Sequence, residues 1–235
     1  MRIMQIINNI RSLPDLSTDK IHIWGVEVPR MAHRMADLEA QLSTSELDKA
    51  GRFRRELDRH ASIVARGTLR VLLGGYTDLT PTDVQITYAE SGKPHLAGSN
   101  VEFNVSHSGD WIVIAVGRNR AIGVDIEKIR RDIDLLPLVE RYFLPEEQVH
   151  IKAATDPHVS FYQHWVRKEA YIKACGSTLL RELKRISVPL EDGAEKNGWF
   201  FHYLEAGSTY AAAVVTDKPL EGMPCYDFGA LQWEN

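Results

Sequence analysis

A chain of 235 residues, 44% hydrophobic and 26% charged, has the composition of a globular protein and can bury one large core or two of roughly 100–120 residues. Its 28 basic and 32 acidic residues leave a net charge of −4, so overall charge offers no general attraction to nucleic acid or membrane, and a polyanionic ligand must be held by local basic clusters. Only Cys175 and Cys225 occur, with no Cys-x-x-Cys or Cys/His cluster, which argues against a structural zinc site and a disulfide scaffold. The opening apolar run is too short for a signal peptide, and no stretch approaches the ~18 apolar residues of a membrane span. The expectation is a soluble, cytoplasmic protein.

Taken in order, residues 21–28 (Ile-His-Ile-Trp-Gly-Val-Glu-Val) predict a strand. Thr44, Ser45 and Glu46 then open a charged run through Arg59 that carries Lys49, Arg52, Arg54 and Arg55. It reads either as a solvated helix face or as an anion-binding rim. Residues 58–73 predict a helix capped by Asp58 and stopped at Gly74-Gly75, with Ile63, Val64, Gly67, Val71 and Leu72 as its apolar stripe. Arg59, Arg66 and Arg70 lie on its flanks, free for ion pairs or phosphate.

Strands are expected at 84–89 and 101–106, with Ser91-Gly92-Lys93-Pro94 as turn chemistry between them. Ser106-His107-Ser108-Gly109 is expected to leave the second of these strands as a polar loop. Residues 111–116 and 121–126 follow as strands joined through Gly117-Arg118-Asn119-Arg120, the pattern of a hairpin. Helical material over 132–154 is broken by Pro137 and Pro145, and a longer helix is expected from Ser160 to Cys175, stopped by Gly176. Strands at 186–190, 198–204 and 209–216 and an irregular tail after Pro219 complete the pattern.

Residues two apart on a strand face the same way, so Asp125 and Glu127 project together from 121–127. Buried and unpaired they would be costly. Either they end a strand and pair with an arginine such as Arg118 or Arg130, or they offer oxygen ligands to a hard cation. Glu169 and Lys173, four apart, fit an exposed helix ion pair. Yet Trp165 recurs on the same face, and a partly buried face with these charges suggests a metal or phosphate partner. His107 fits a general base, a phosphate contact or a cap. No Gly-x-Ser-x-Gly elbow, phosphate-binding loop of the Walker type or Gly-x-Gly-x-x-Gly motif is present.

Four segments in order, Gly92-Lys93-Pro94, Phe103-Asn104-Val105-Ser106-His107-Ser108, Gly123-Val124-Asp125-Ile126-Glu127 and Trp165-Val166-Arg167-Lys168-Glu169-Ala170-Tyr171-Ile172-Lys173, resemble the 4′-phosphopantetheinyl transferases of the Sfp type. The resemblance in layout covers nearly the whole chain. It implies an α+β fold: a monomeric pseudo-dimer of two similar lobes, each a small antiparallel sheet with a packed long helix, with the active site in the cleft between them. The lobes would be residues 1–120 and 121–235, with a transferase core at about 121–216.

The resemblance implies transfer of the phosphopantetheine arm of coenzyme A to a serine of an apo acyl, polyketide or peptidyl carrier protein, releasing adenosine 3′,5′-bisphosphate. Asp125, Glu127 and Glu169 match the family's Mg²⁺ ligands, with Mn²⁺ a second possible ion. Lys173 matches the lysine near the pyrophosphate, and Ser106 and His107 match contacts to the 3′-phosphate. Lys93, beside Pro94, and Lys49 match residues that bind coenzyme A. Catalysis would rest on Asp125, Lys173 and Glu169, the last as general base. Family members often carry an arginine near residue 61 or 62. Here Ala61 and Ser62 stand there, which leaves that role to Arg59 or Arg66. Two other functions stay open: a coenzyme A-binding regulatory module without turnover, and a metal-dependent phosphodiesterase.

Overall fold

In chain order the first half forms β1 (Ile6–Ile7), β2 (Ile21–Glu27), the helices α1 (Met35–Ala40), α2 (Thr44–Gly51) and α3 (Glu56–Thr77), the short strands β3 (Ile86–Tyr88) and β4 (Pro94–Leu96), and the long strands β5 (Val101–Ser108) and β6 (Trp111–Arg118). The second half forms β7 (Ile122–Lys128), α4 (Leu136–Tyr142), α5 (Pro145–Ala153), α6 (Pro157–Ala174), β8 (Ala194–Lys196), β9 (Trp199–Leu204), β10 (Tyr210–Thr216) and β11 (Cys225–Asp227). These elements come from a computed structural model that describes residues 6–7, 12–177 and 180–232.

Two sheets organise them. The first runs β1-β11-β2-β6-β5 and the second β7-β10-β9-β8, while β3 and β4 pair separately. Strands β2, β6 and β5 are antiparallel, as are all pairs of the second sheet. The β1-β11-β2 side of the first sheet is parallel.

The period-2 pattern decides which faces meet. Ile112, Ile114 and Val116 of β6 turn toward Ile63, Val64 and Leu72 of α3. Their neighbours Val113 and Ala115 turn the other way and pack with Ile122, Val124 and Ile126 of β7 and Ala212 and Val214 of β10. Alternate residues of β10, Ala211 and Ala213, join Val166 of α6, and Val215 joins Ala170. The order of layers is therefore helix α3, first sheet, second sheet, helix α6. Each lobe is a small sheet with one long helix, the two-lobed α+β arrangement that the family resemblance implies.

Several local expectations change. Helix α3 runs through Gly74-Gly75 and ends only at Asp78, which takes a left-handed conformation (φ 57°). Gly74 is required there because a Cβ would lie 2.7 Å from the Leu79 carbonyl oxygen. Asp58 is not its cap, since the helix begins at Glu56. Helix α2 is capped by Ser43 in a reciprocal box with Glu46, one residue before the expected start. Pro137 and Pro145 do not interrupt a helix. They sit in the first turns of α4 and α5, where a missing N–H costs nothing.

The expected hairpin between 111–116 and 121–126 does not form. β6 pairs with β2 and β5, whereas β7 leaves for the second sheet and pairs with β10. Ser106-His107-Ser108 is not a loop either, since β5 continues to Ser108 opposite Trp111. Residues 186–190 form no strand. They are held instead by side chains, the Arg167 guanidinium donating to the Leu190 carbonyl at 3.0 Å and Val188 N–H to Glu147 Oε1 at 3.3 Å. The tail after Pro219 is not irregular throughout, because β11 returns to the first sheet beside β2. Residues 225–227 thus belong with the first lobe and not the second.

Candidate active site

Strand β7 lies at the edge of the second sheet and β5 at the edge of the first, and the two meet at the seam between the lobes. Ile122, Val124 and Ile126 point into the apolar layer between the sheets. Alternation then turns Gly123, Asp125 and Glu127 toward α6. Helix α6 can lie against β7 only because residue 123 is glycine, where a Cβ would fall 1.8 Å from the Ala170 carbonyl oxygen. This close approach brings Lys173 to Asp125.

Val105, Ser106, His107, Asp125, Glu127, Trp165, Glu169 and Lys173 line one pocket of about 340 Å³. The first lobe supplies β5, and the second supplies β7 and α6. Trp165, Glu169 and Lys173 share the i, i+4, i+8 face expected of them. Lys173 Nζ donates to Asp125 Oδ1 at 2.7 Å, to Ser106 Oγ at 3.0 Å and to the Val124 carbonyl at 3.2 Å. Its ammonium therefore serves Asp125 and not Glu169, and the simple helix ion pair is not what forms. Nor do the arginines take the acids. Arg118 donates to Asn100 and to the Leu16 and Tyr76 carbonyls, and Arg130 pairs with Asp132.

Ser106 donates to Asp125 Oδ1 and Ser108 to Glu127 Oε2, both at 2.8 Å. The three carboxyls share one electrostatic state. Burial pushes Asp125 up, opposed by Lys173 and Ser106. Burial and then the neighbouring Asp125 push Glu127 up. Glu169 is raised to about 7, by burial first and by Asp125 second. Each acid is costly to ionise beside the others, which is the condition a multivalent cation relieves.

Asp125 Oδ2 is buried and has no hydrogen-bond partner, so one oxygen of the most enclosed acid is free to ligate. Hard carboxylate oxygens suit Mg²⁺ or Mn²⁺. Among the described residues no three acidic, histidine or cysteine groups already stand at the spacing of a formed metal site. Lys173 bonds the other oxygen of Asp125, Oδ1. The residue types fit a divalent ion, and Asp125 Oδ2 is the oxygen left for it.

The remaining predicted residues lie elsewhere. Lys93 and Pro94 line a neighbouring pocket of about 550 Å³ with His95, Arg120, Cys175 and Asp217. The Lys93 ammonium donates to the carbonyls of Ile122 at 3.0 Å and Ala174 at 3.1 Å, tying β4 to β7 and to the C-terminus of α6. Burial holds its pKa below the ordinary lysine range. Lys49 and Arg66 line a third pocket of about 330 Å³ with Ser45, Glu46, Ser62 and Tyr88. Arg59 faces away from these cavities and pairs with Glu39 at 2.7 Å and Glu56 at 3.5 Å. Local sequence gives Ser108 no role. Its contact with Glu127 could be seen only once β5 and β7 were known to be neighbours.

Comparison with known proteins shows the family of the chain. A family described as the 4′-phosphopantetheinyl transferase superfamily matches residues 121–215, and the N-terminal part of a 4′-phosphopantetheinyl transferase matches residues 30–119. The chain belongs to the 4′-phosphopantetheinyl transferase superfamily. It is 36% identical to the 4′-phosphopantetheinyl transferase HetI of Nostoc sp. over 74% of this chain and 76% of that protein. It is also 33% identical to a phosphopantetheinyl transferase of Thraustochytrium sp. over 84% of this chain and 78% of the relative. A 4′-phosphopantetheinyl transferase of Bacillus subtilis is 30% identical over 84% of this chain and 92% of that protein. Among the described residues no helix is long and apolar enough to cross a membrane.

Proposed function

We propose that this chain is a 4′-phosphopantetheinyl transferase that moves the phosphopantetheine arm of coenzyme A onto a serine hydroxyl of an apo acyl, polyketide or peptidyl carrier protein. The observation that carries this reading is the convergence of Asp125, Glu127, Glu169 and Lys173 in one pocket built by both lobes. Asp125, Glu127 and Glu169 would hold Mg²⁺, or Mn²⁺, which when bound neutralises charge on the pyrophosphate oxygens.

The serine oxygen forms a bond to the phosphorus bearing the pantetheine. The bond from that phosphorus to the bridging oxygen breaks, and its electrons leave on adenosine 3′,5′-bisphosphate. Glu169, which enters the pocket from the second lobe, is the carboxylate suited to accept the serine proton. Lys173 releases Asp125 and offers its ammonium to a pyrophosphate oxygen, a point contact that suits lysine. Exposed His107 at the pocket rim and the Lys49/Arg66 pocket are the two candidates for the 3′-phosphate. The Lys93/Pro94 pocket would take another part of coenzyme A.

A single chain supplies both walls of the site, which supports a monomer as the working form. Both cysteines are free, which suits the reducing cytoplasm.

Mass spectrometry of an apo carrier protein incubated with coenzyme A, Mg²⁺ and the full chain tests the reading. A carrier heavier by one phosphopantetheine supports it. Free phosphopantetheine without carrier modification would mean hydrolysis, and no change in either would mean a binding module.

A further inference from the structure

Two sheet edges meet at the seam, and they are not joined by a backbone ladder. Three side chains of β5 do it instead. Asn104 Oδ1 accepts from the Val124 N–H at 2.8 Å, Ser106 Oγ from the Ile126 N–H at 3.3 Å, and Ser108 Oγ from the Lys128 N–H at 3.0 Å. The spacing is two residues on each strand, so every rung repeats the one before it. From the other side Lys93 and Lys173 cap the Ile122 and Val124 carbonyls. An edge that would otherwise offer unpaired groups to another chain is satisfied by side chains.

The serine rungs do more than the asparagine rung. A hydroxyl has one proton and two lone pairs. Ser106 uses them all, donating to Asp125 and accepting from Ile126 N–H and Lys173. Ser108 accepts from β7 and gives its proton to Glu127 Oε2 at 2.8 Å. Glu127 is half-buried and makes no ion pair among the described residues. Its long side chain would otherwise sample several rotamers. The hydroxyl of Ser108 is the contact that selects one.

We propose that Ser108 is a positioning residue that sets the direction of the Glu127 carboxylate, and with it the spacing between Glu127 and Asp125. This rests on the reading of the three acids as a divalent-cation site. Groups that orient metal-binding carboxylates commonly change metal affinity by about 10–100-fold when removed. Ser108 touches neither Lys173 nor Asp125, so its loss should act on the cation and not on coenzyme A.

The test compares Ser108→Ala, Ser108→Thr and Asn104→Ala in the full chain. Affinity for Mn²⁺ alone is measured by electron paramagnetic resonance on metal-free protein, and thermal unfolding is followed without metal. Ser108→Ala should weaken Mn²⁺ about tenfold and raise the Mg²⁺ needed for half-maximal transfer by a similar factor, with the KM for coenzyme A unchanged. Ser108→Thr keeps the hydroxyl and should restore Mn²⁺ affinity. Asn104→Ala removes a rung that touches no acid. It should lower the unfolding temperature and leave Mn²⁺ affinity at the wild-type value.

Wild-type Mn²⁺ affinity in Ser108→Ala would overturn the proposal. So would equal losses in Ser108→Ala and Asn104→Ala, because the seam as a whole and not the Ser108–Glu127 contact would then govern the ion. Failure of the wild-type chain itself to bind Mn²⁺ would remove the cation reading and this proposal together, a result distinct from either of the others.

Discussion

Lys173 Nζ lies 2.7 Å from Asp125 Oδ1, joining α6 to β7 across the floor of the pocket. The ammonium is the one counter-charge within hydrogen-bond reach of this fully enclosed acid among the described residues. Lys173→Met should push the Asp125 pKa further up and lower transfer by on the order of 10²-fold, the scale of losing one donor aimed at developing negative charge. Asp125→Ala and Glu169→Gln should abolish Mg²⁺-dependent transfer. Initial rates with a carrier protein, together with circular dichroism, check this. Retained turnover in a folded variant would take that residue out of the mechanism.

The raised Glu169 gives a pH signature. Its ordinary value is 4.5 and its folded value about 7, so between these two the native state holds a proton that the unfolded state has lost. Stability then falls as pH rises through that window and levels off above about 7. Thermal melts of the metal-free chain from pH 4 to 8 should show the slope, and Glu169→Gln should flatten it. An identical slope in the variant would assign the effect to other groups.

Arg59 and Arg66 separate in the structure. Arg59 pairs with Glu39 and Glu56, whereas Arg66, though it pairs with Glu46 at 3.4 Å and donates to the Tyr88 hydroxyl at 3.1 Å, lines a cavity with Lys49 and carries a buried Nη1 without a partner. Arg66→Ala should weaken coenzyme A by about tenfold, the scale of a hydrogen bond to a charged group, and dephospho-coenzyme A less. His107→Ala should show the same preference. Arg59→Ala should alter neither ligand. Calorimetric titration of both ligands into each variant decides, and equal losses for the two ligands would place the 3′-phosphate elsewhere.

Gly123 fixes how near α6 can come to β7. A Cβ at that position would fall 1.8 Å from the Ala170 carbonyl oxygen and 2.5 Å from the Ala174 nitrogen, both backbone atoms that cannot rotate aside. Gly123→Ala should cost about 3 kcal/mol or more and draw Lys173 away from Asp125. Urea unfolding and transfer rates should fall together. A variant of wild-type stability would show that the helix can shift at no cost.

The site was legible where chemistry travels with local sequence. Asp125 and Glu127 two apart on a strand, and Trp165, Glu169 and Lys173 four apart on a helix, point where their periodicity sends them, and the pocket collects all five. Pairings that depend on distant chain were not. Gly117-Arg118-Asn119-Arg120 has the residues of a hairpin turn, and a turn is present, yet β7 finds its partner ninety residues later in β10 because its apolar face is needed between the sheets. Gly74-Gly75 reads as a stop by composition, but packing against Leu79 and Leu13 keeps the helix going. Lys93 stands at a loop tip in the sequence, and only the fold shows that its ammonium reaches two backbone carbonyls of the other lobe.

Strand β11 joins the first sheet with residues that follow the whole second lobe in the chain. Tyr226 packs on Trp24 with ring centroids 4.8 Å apart and planes tilted by 30°, and Asp227 pairs with Arg30 at 3.0 Å. During translation the first lobe therefore emerges with β2 lacking one neighbour, and it waits for the whole second lobe to pass through the ribosome before that gap is filled. The chain works as a clasp, in which the last strand locks the lobe that was begun first and so makes the cleft between them a property of the finished molecule.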